Sequence, residues 1–167
     1  MSSILETRRL SLREMSLADL DFIATLLDDP QVMRFYPQRY SRDEAIEWIE
    51  RQMGRYEDYG HGLWLVEKRS DGQPIGQVGL SMQRVDDVAE PEIGYMIHRP
   101  FWRQGYASEA AAGVRDWALD TRGLRRVVSL ILPANIPSQR VALKIGMKPE
   151  KMAPHAGNPH LVFALNR

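Results

Sequence analysis

The stretch from Pro91 to Leu132 constrains the fold of this chain more than any other. PEIGYMI (Pro91–Ile97) reads as a strand. Gly105–Leu119 reads as a helix, with Ala107, Ala110, Ala111, Val114 and Ala118 at helical spacing. RRVVSLIL (Arg125–Leu132) is a nearly unbroken apolar run, as expected of a strand covered on both faces. A strand, a helix and a strand in this order make a crossover unit whose two strands are parallel neighbours. Any fold for this chain must therefore hold one parallel pair with a helix laid over it.

The rest of the chain does not repeat that unit. Leu10 and Leu12 alternate with Arg9, Ser11 and Arg13, the pattern of a half-buried strand. Ser16 with Asp19, and Ser41 with Glu44, are capping boxes. The first opens a short helix to about Leu27. The second opens a helix that places Ala45, Ile49, Met53 and Tyr56 on one face. Gly62–Lys68 and Pro74–Met82 read as strands paired through an Asp71-Gly72 turn. The apolar phase slips between Ile75 and Val78, and Gly76 offers a place for a bulge. Asn135 caps a short helix that stops near Ile145 at Gly146. Met147–Met152 and Leu161–Asn166 read as two final strands joined by Ala153–Pro159. The expected class is α/β (α+β): a mixed, mostly antiparallel sheet with one parallel pair, flanked by about four helices. Helices and strands do not alternate regularly enough for a doubly wound parallel fold.

Length and composition exclude several functions. At 167 residues, without a linker or low-complexity tract, the expectation is a single domain over residues 1–167. Lys plus Arg number 22 and Asp plus Glu 22, so a broad electrostatic grip on nucleic acid is not expected. There is no cysteine, which removes disulfides, thiolate zinc sites and a cysteine nucleophile. No metal site is expected. No apolar run approaches the ~18 residues of a membrane span, and residues 1–10 lack a signal-peptide core. A cytoplasmic chain with no membrane partner is the expectation.

Two loops attract chemistry. Trp102-Arg103-Gln104-Gly105-Tyr106-Ala107-Ser108 joins a strand to a helix. Free N–H groups and the helix dipole draw anions to such a place, and small residues let a phosphate approach. Arg99 and Arg103 add nearby positive charge. Alone, the segment reads equally well as a tight turn. It is neither a P-loop nor a dinucleotide fingerprint. Pro133-Ala134-Asn135-Ile136-Pro137-Ser138 follows the next parallel strand. Both segments thus lie at the carboxyl ends of adjacent parallel strands, where open α/β sheets bind ligands. Asn135 as a plain helix cap and Ser138 as a first-turn serine are the simpler alternatives.

Taken together, EIGYMI, WRQGYASEA and PANIPSQRVALKIGMK resemble the GNAT superfamily of acetyl-CoA-dependent N-acetyltransferases, in its ribosomal-protein N-terminal-acetyltransferase-like branch. The opening LETRRLSLREMSLADLDFIATLLDDPQVMRFY is similar to that branch as well, so the resemblance runs from about Leu5 to Leu165. The loop departs from the family pattern at its start, with Trp102 in place of Gln or Arg and Arg103 where glycine is frequent.

The resemblance implies that acetyl-CoA lies in a wedge between the two parallel strands. Backbone groups of Met96, Ile97 and His98 would pair with the pantetheine arm. The N–H groups of Arg103, Gln104, Gly105, Tyr106, Ala107 and Ser108 would hold the pyrophosphate, and Asn135 would contact the pantetheine. Arg140 and Lys144 either meet ribose and phosphate charge or form a solvated helix face. The implied reaction is direct acetyl transfer to an amine, with the N–H of Ile97 at the oxyanion and the Ser138 hydroxyl at the leaving thiolate. Glu92 is the favoured base, directly or through a water. A strand-end carboxylate paired with an arginine is its alternative role. Glu90, Tyr36 and His160 are weaker candidates. Phe35, Tyr36 and Trp64 would line the amine acceptor's groove, built from Asp29–Tyr40, the hairpin near Trp64 and Ala153–His160, unless they are core. The competing reading is a non-catalytic acyl-CoA-binding module. A homodimer is the assembly to expect if the chain self-associates.

Overall fold

The computed structural model describes residues 2–167. The strands are β1 (Ser3–Glu6), β2 (Leu10–Arg13), β3 (Leu63–Lys68), β4 (Pro74–Val85), β5 (Val88–Ile97), β6 (Arg126–Ile131), β7 (Lys148–His155) and β8 (Asn158–Asn166). The helices are α1 (Leu20–Asp28), α2 (Arg42–Tyr59), α3 (Tyr106–Asp116) and α4 (Ile136–Lys144). One eight-stranded sheet runs in the order β1-β2-β3-β4-β5-β6-β8-β7. Its pairs are antiparallel except β5–β6, which is parallel with α3 as the crossover.

Local chemistry explains the elements. Both capping boxes form. The Ser16 N–H donates to Asp19 at 2.9 Å, and the Ser41 N–H donates to Glu44 at 2.9 Å while Ser41 Oγ accepts from the Glu44 N–H. Helix α2 buries Ala45, Ile49 and Tyr56, but Met53 is 39% exposed. Gln52 takes the inward place instead, because its side-chain oxygen accepts the Leu63 N–H at 3.0 Å. In the β3–β4 ladder Val66 faces Gly76 and Glu67 faces Pro74, so the extra residue of the bulge is Ile75, next to Gly76.

Three boundaries differ from the sequence reading. Strands β4 and β5 extend to Val85 and from Val88, and Asp86 and Asp87 turn between them with φ of 48° and 64°. Two short polar residues tolerate the left-handed region that a tight hairpin needs. Strands β7 and β8 likewise meet at a tight Ala156–Gly157 turn, not across a seven-residue connection from Ala153 to Pro159. The short strand β1, paired with β2, was not expected.

Helix α3 packs on β4 and β5, α4 on β6 and α3, and α1 on α2. Trp64 is fully buried and meets Trp117 edge-on at 4.9 Å, so it is core and not groove wall. Gly79 sits where β4 crosses the start of β3. A Cβ there would lie 2.1 Å from the Gly62 carbonyl oxygen, which accepts the Leu80 N–H. Gly79→Ala should therefore lower stability by about 1–3 kcal/mol, measured as a fall in the urea midpoint.

The pair that positions everything else is β5–β6. It has a single backbone bridge, Glu92 opposite Val128. Beyond that point side chains span the gap. Ser129 Oγ donates to the Ile93 carbonyl at 2.7 Å, and the Leu130 N–H donates to the Glu92 carboxylate at 2.8 Å.

Candidate active site

The parting of β5 from β6 opens two cavities. One, of about 330 Å³, is walled by α2, β4, β6 and the β7–β8 turn. The other, of about 380 Å³, reaches the start of α3 and the Arg103–Ser108 loop. Phe35, Tyr36, Tyr95, Met96, Asn135 and Ser138 line both, so the two share a wall.

Glu92 lines the first cavity and is partly buried. Burial pushes its carboxyl up to about 7, against the Leu130 N–H, the Gln83 amide at 3.2 Å and the charge of Arg55, which pull it down. It is Glu90, not Glu92, that pairs with an arginine: Arg126 approaches it at 2.8 Å. Ser138 Oγ has no hydrogen-bond partner among the described residues and faces both cavities. Asn135 Oδ1 accepts the Ser138 N–H at 3.3 Å, so it does cap α4 while lining the cavities.

The loop before α3 has the geometry of a nest. Arg103 and Gly105 have φ of 62° and 82°. No N–H from Arg103 to Ser108 donates to a protein acceptor among the described residues. Successive unpaired N–H groups at a helix start can take an anion. Arg9 lies alongside, 4.2 Å over the Tyr106 ring, and its guanidinium meets Glu109 at 2.7 Å. Arg99 pairs with the buried Asp29 at 3.2 Å and lines neither cavity. Arg140 and Lys144 are exposed on α4 and line neither cavity.

The three expected pantetheine contacts separate by strand alternation. The His98 N–H donates to the Ile75 carbonyl at 2.7 Å. Met96 therefore faces β4 in the same way, and only Ile97 turns its backbone to the gap. Its carbonyl already accepts the Trp102 indole N–H at 2.6 Å. Trp102, the departure from the family pattern, thus bonds back to the strand.

Of the other candidates, Phe35 and Tyr36 lie on the shared wall. His160 is buried at the far side of the first cavity, with Nδ1 2.9 Å from the Asn158 carbonyl. Two groups escaped the sequence reading. Tyr95, inside EIGYMI, donates its hydroxyl to the Ser138 carbonyl at 2.6 Å, and burial raises its pKa. Trp48, Arg51, Gln52 and Arg55 line the first cavity from α2. Their 3–4–7 spacing marks one helix face, and that was the available signal.

The family model for the acetyltransferase (GNAT) domain matches residues 9–148. The chain belongs to the GNAT acetyltransferase family. It is 34% identical over 160 residues to the uncharacterized protein YkkB of Bacillus subtilis, covering 95% of this chain and 93% of that one. It is 31% identical to the uncharacterized N-acetyltransferase YoaA of the same organism, over 90% and 85% of the two chains. Among solved structures, RimL, a ribosomal L7/L12 alpha-N-protein acetyltransferase in complex with coenzyme A, superposes with a TM-score of 0.80 at 16% identity, over 99% and 98% of the chains. This GNAT chain is an acetyltransferase, and its acceptor is an amine. No helix among the described residues is long and apolar enough to cross a membrane.

The raised Glu92 pKa makes stability depend on pH. The folded state holds this proton more tightly than the unfolded state, so stability contributed by Glu92 is present below pH 4.5 and lost as pH rises through about 7. Glu92→Gln should remove that slope and be more stable than the parent at pH 8, as read from urea midpoints across pH 4–8.

Proposed function

We propose that this chain transfers the acetyl group of acetyl-CoA directly to a primary amine, with Glu92 as the general base. The observation that carries the reading is the Glu92 carboxylate set in the gap between β5 and β6, facing a cavity, with its carboxyl pushed up to about 7. A base of that strength takes a proton from an ammonium near neutral pH and is ionised often enough to do so. Acetyl-CoA would supply an activated thioester. The nest from Arg103 to Ser108 fits its pyrophosphate, since the N–H groups there lack acceptors. Asn135 and the backbone of Ile97 border the path from the nest to Glu92. The Ile97 N–H, turned to the gap, is the proposed oxyanion donor, and the unpartnered Ser138 hydroxyl the proposed proton donor to the thiolate. Phe35 and Tyr36 form the wall between cofactor and acceptor. We read the whole chain as one such catalytic domain.

The absence of cysteine from the composition excludes a cysteine acyl-enzyme, which is consistent with direct transfer. The same absence makes the assay clean, because thiol reagents then detect only released CoA. Glu92→Gln should lower kcat/KM by about 10²–10⁴-fold. It should also abolish the fall in rate below an apparent pKa of about 7. An unchanged pH profile in this variant would remove Glu92 from the role.

A further inference from the structure

The first cavity has an uneven charge. Among its lining residues the charged groups are Glu92, Arg51 and Arg55. Elsewhere arginines meet carboxylates closely: Arg13 reaches Asp19 at 2.8 Å, and Arg126 reaches Glu150 at 2.8 Å. Neither Arg51 nor Arg55 makes a salt bridge with any described residue. Arg55 has only two long contacts, 3.4 Å to Gln52 Oε1 and 3.4 Å to Ser81 Oγ. Arg51 has the Trp48 ring at 5.9 Å. Burial and the charge of Arg51 hold the Arg55 pKa below the usual arginine range, against the opposing pull of the Glu92 charge, while Arg51 itself is exposed at the rim. Gln52, between them, has its side-chain nitrogen buried with no acceptor. Two guanidinium groups on one wall thus lack a carboxylate partner within salt-bridge distance.

We propose that the acceptor is an amine that also carries an anionic group, in the first place a carboxylate, seated on Arg51 and Arg55 while the amine faces Glu92. This deepens the acetyl-transfer reading and rests on it. The spacing is short. Ser81, which touches Arg55, lies directly opposite Glu92 across the β4–β5 ladder. Directly opposed side chains share a sheet face with Cβ atoms about 4.5–5.5 Å apart. An anion on Arg55 and an amine at Glu92 are therefore only a few bonds apart, as in a small amino acid. The guanidinium fork suits a carboxylate, and a wall of this sign repels a polyamine.

The test compares matched acceptors: α- and β-amino acids, their carboxamides, the amines lacking the carboxyl group, phosphoethanolamine and spermidine. Wild type should favour acids over carboxamides by about a hundredfold in kcat/KM. Arg55→Gln and Arg51→Gln should erase that preference mainly through KM, and Arg55→Lys should keep part of it. Turnover of phosphoethanolamine at the level of the acids supports the anion site with phosphate as its source. Carboxamides or spermidine matching the acids, or an Arg55→Gln variant that slows all acceptors equally, would overturn the proposal. Calorimetry of the same acceptors with CoA present keeps the two readings apart. Acid-selective binding without turnover upholds the anion site and removes acetyl transfer. Binding that ignores the carboxyl group overturns the anion site whatever the turnover.

Discussion

The site depends on one hydrogen bond, from the Leu130 N–H to the Glu92 carboxylate. A parallel pair normally continues its backbone ladder, and a buried N–H that loses its partner is costly. Here the ladder stops after one bridge, and a side chain from β5 takes the place of the β5 backbone. The strands can then part without orphaning Leu130. The same bond fixes the carboxylate at the mouth of the gap, where burial weakens its acidity. The contact itself favours the ionised carboxylate, and burial outweighs it.

Much of the fold was legible because the signals were local. Capping boxes at Ser16 and Ser41 need only nearby partners, and both form. The crossover from β5 through α3 to β6 followed from order alone. The failures were of two kinds. Asp86 and Asp87 adopt left-handed backbone without a glycine to announce it, so the β4–β5 hairpin was cut short. Met53 matched a helical stripe, but the inward position went to Gln52 because Leu63 offered it a backbone donor from another element. A hydrophobic period cannot anticipate a polar contact of that range.

The site was legible in outline for the same reason. Glu92 within β5, and Asn135 and Ser138 at the start of α4, belong to elements whose order was clear, and they share a cavity. What was hidden depended on strand phase and on distant partners. His98 turns its N–H to Ile75, and Arg99 is taken by Asp29. The α2 face of Trp48, Arg51 and Arg55 had a visible period but no visible destination. A balanced total charge concealed it too, since 22 positive and 22 negative groups say nothing about which cavity receives the unpaired ones.

The Trp102 indole holds the one carbonyl at the end of β5 that faces the gap. A ligand arm that seeks the Ile97 oxygen must compete with an internal occupant. Its gain there is the difference between two hydrogen bonds, not the whole of one. The indole keeps the carbonyl satisfied when no ligand is present, and when displaced it leaves an aromatic plate, already 37% exposed, at the entrance. A ligand that displaced the indole would change its surroundings.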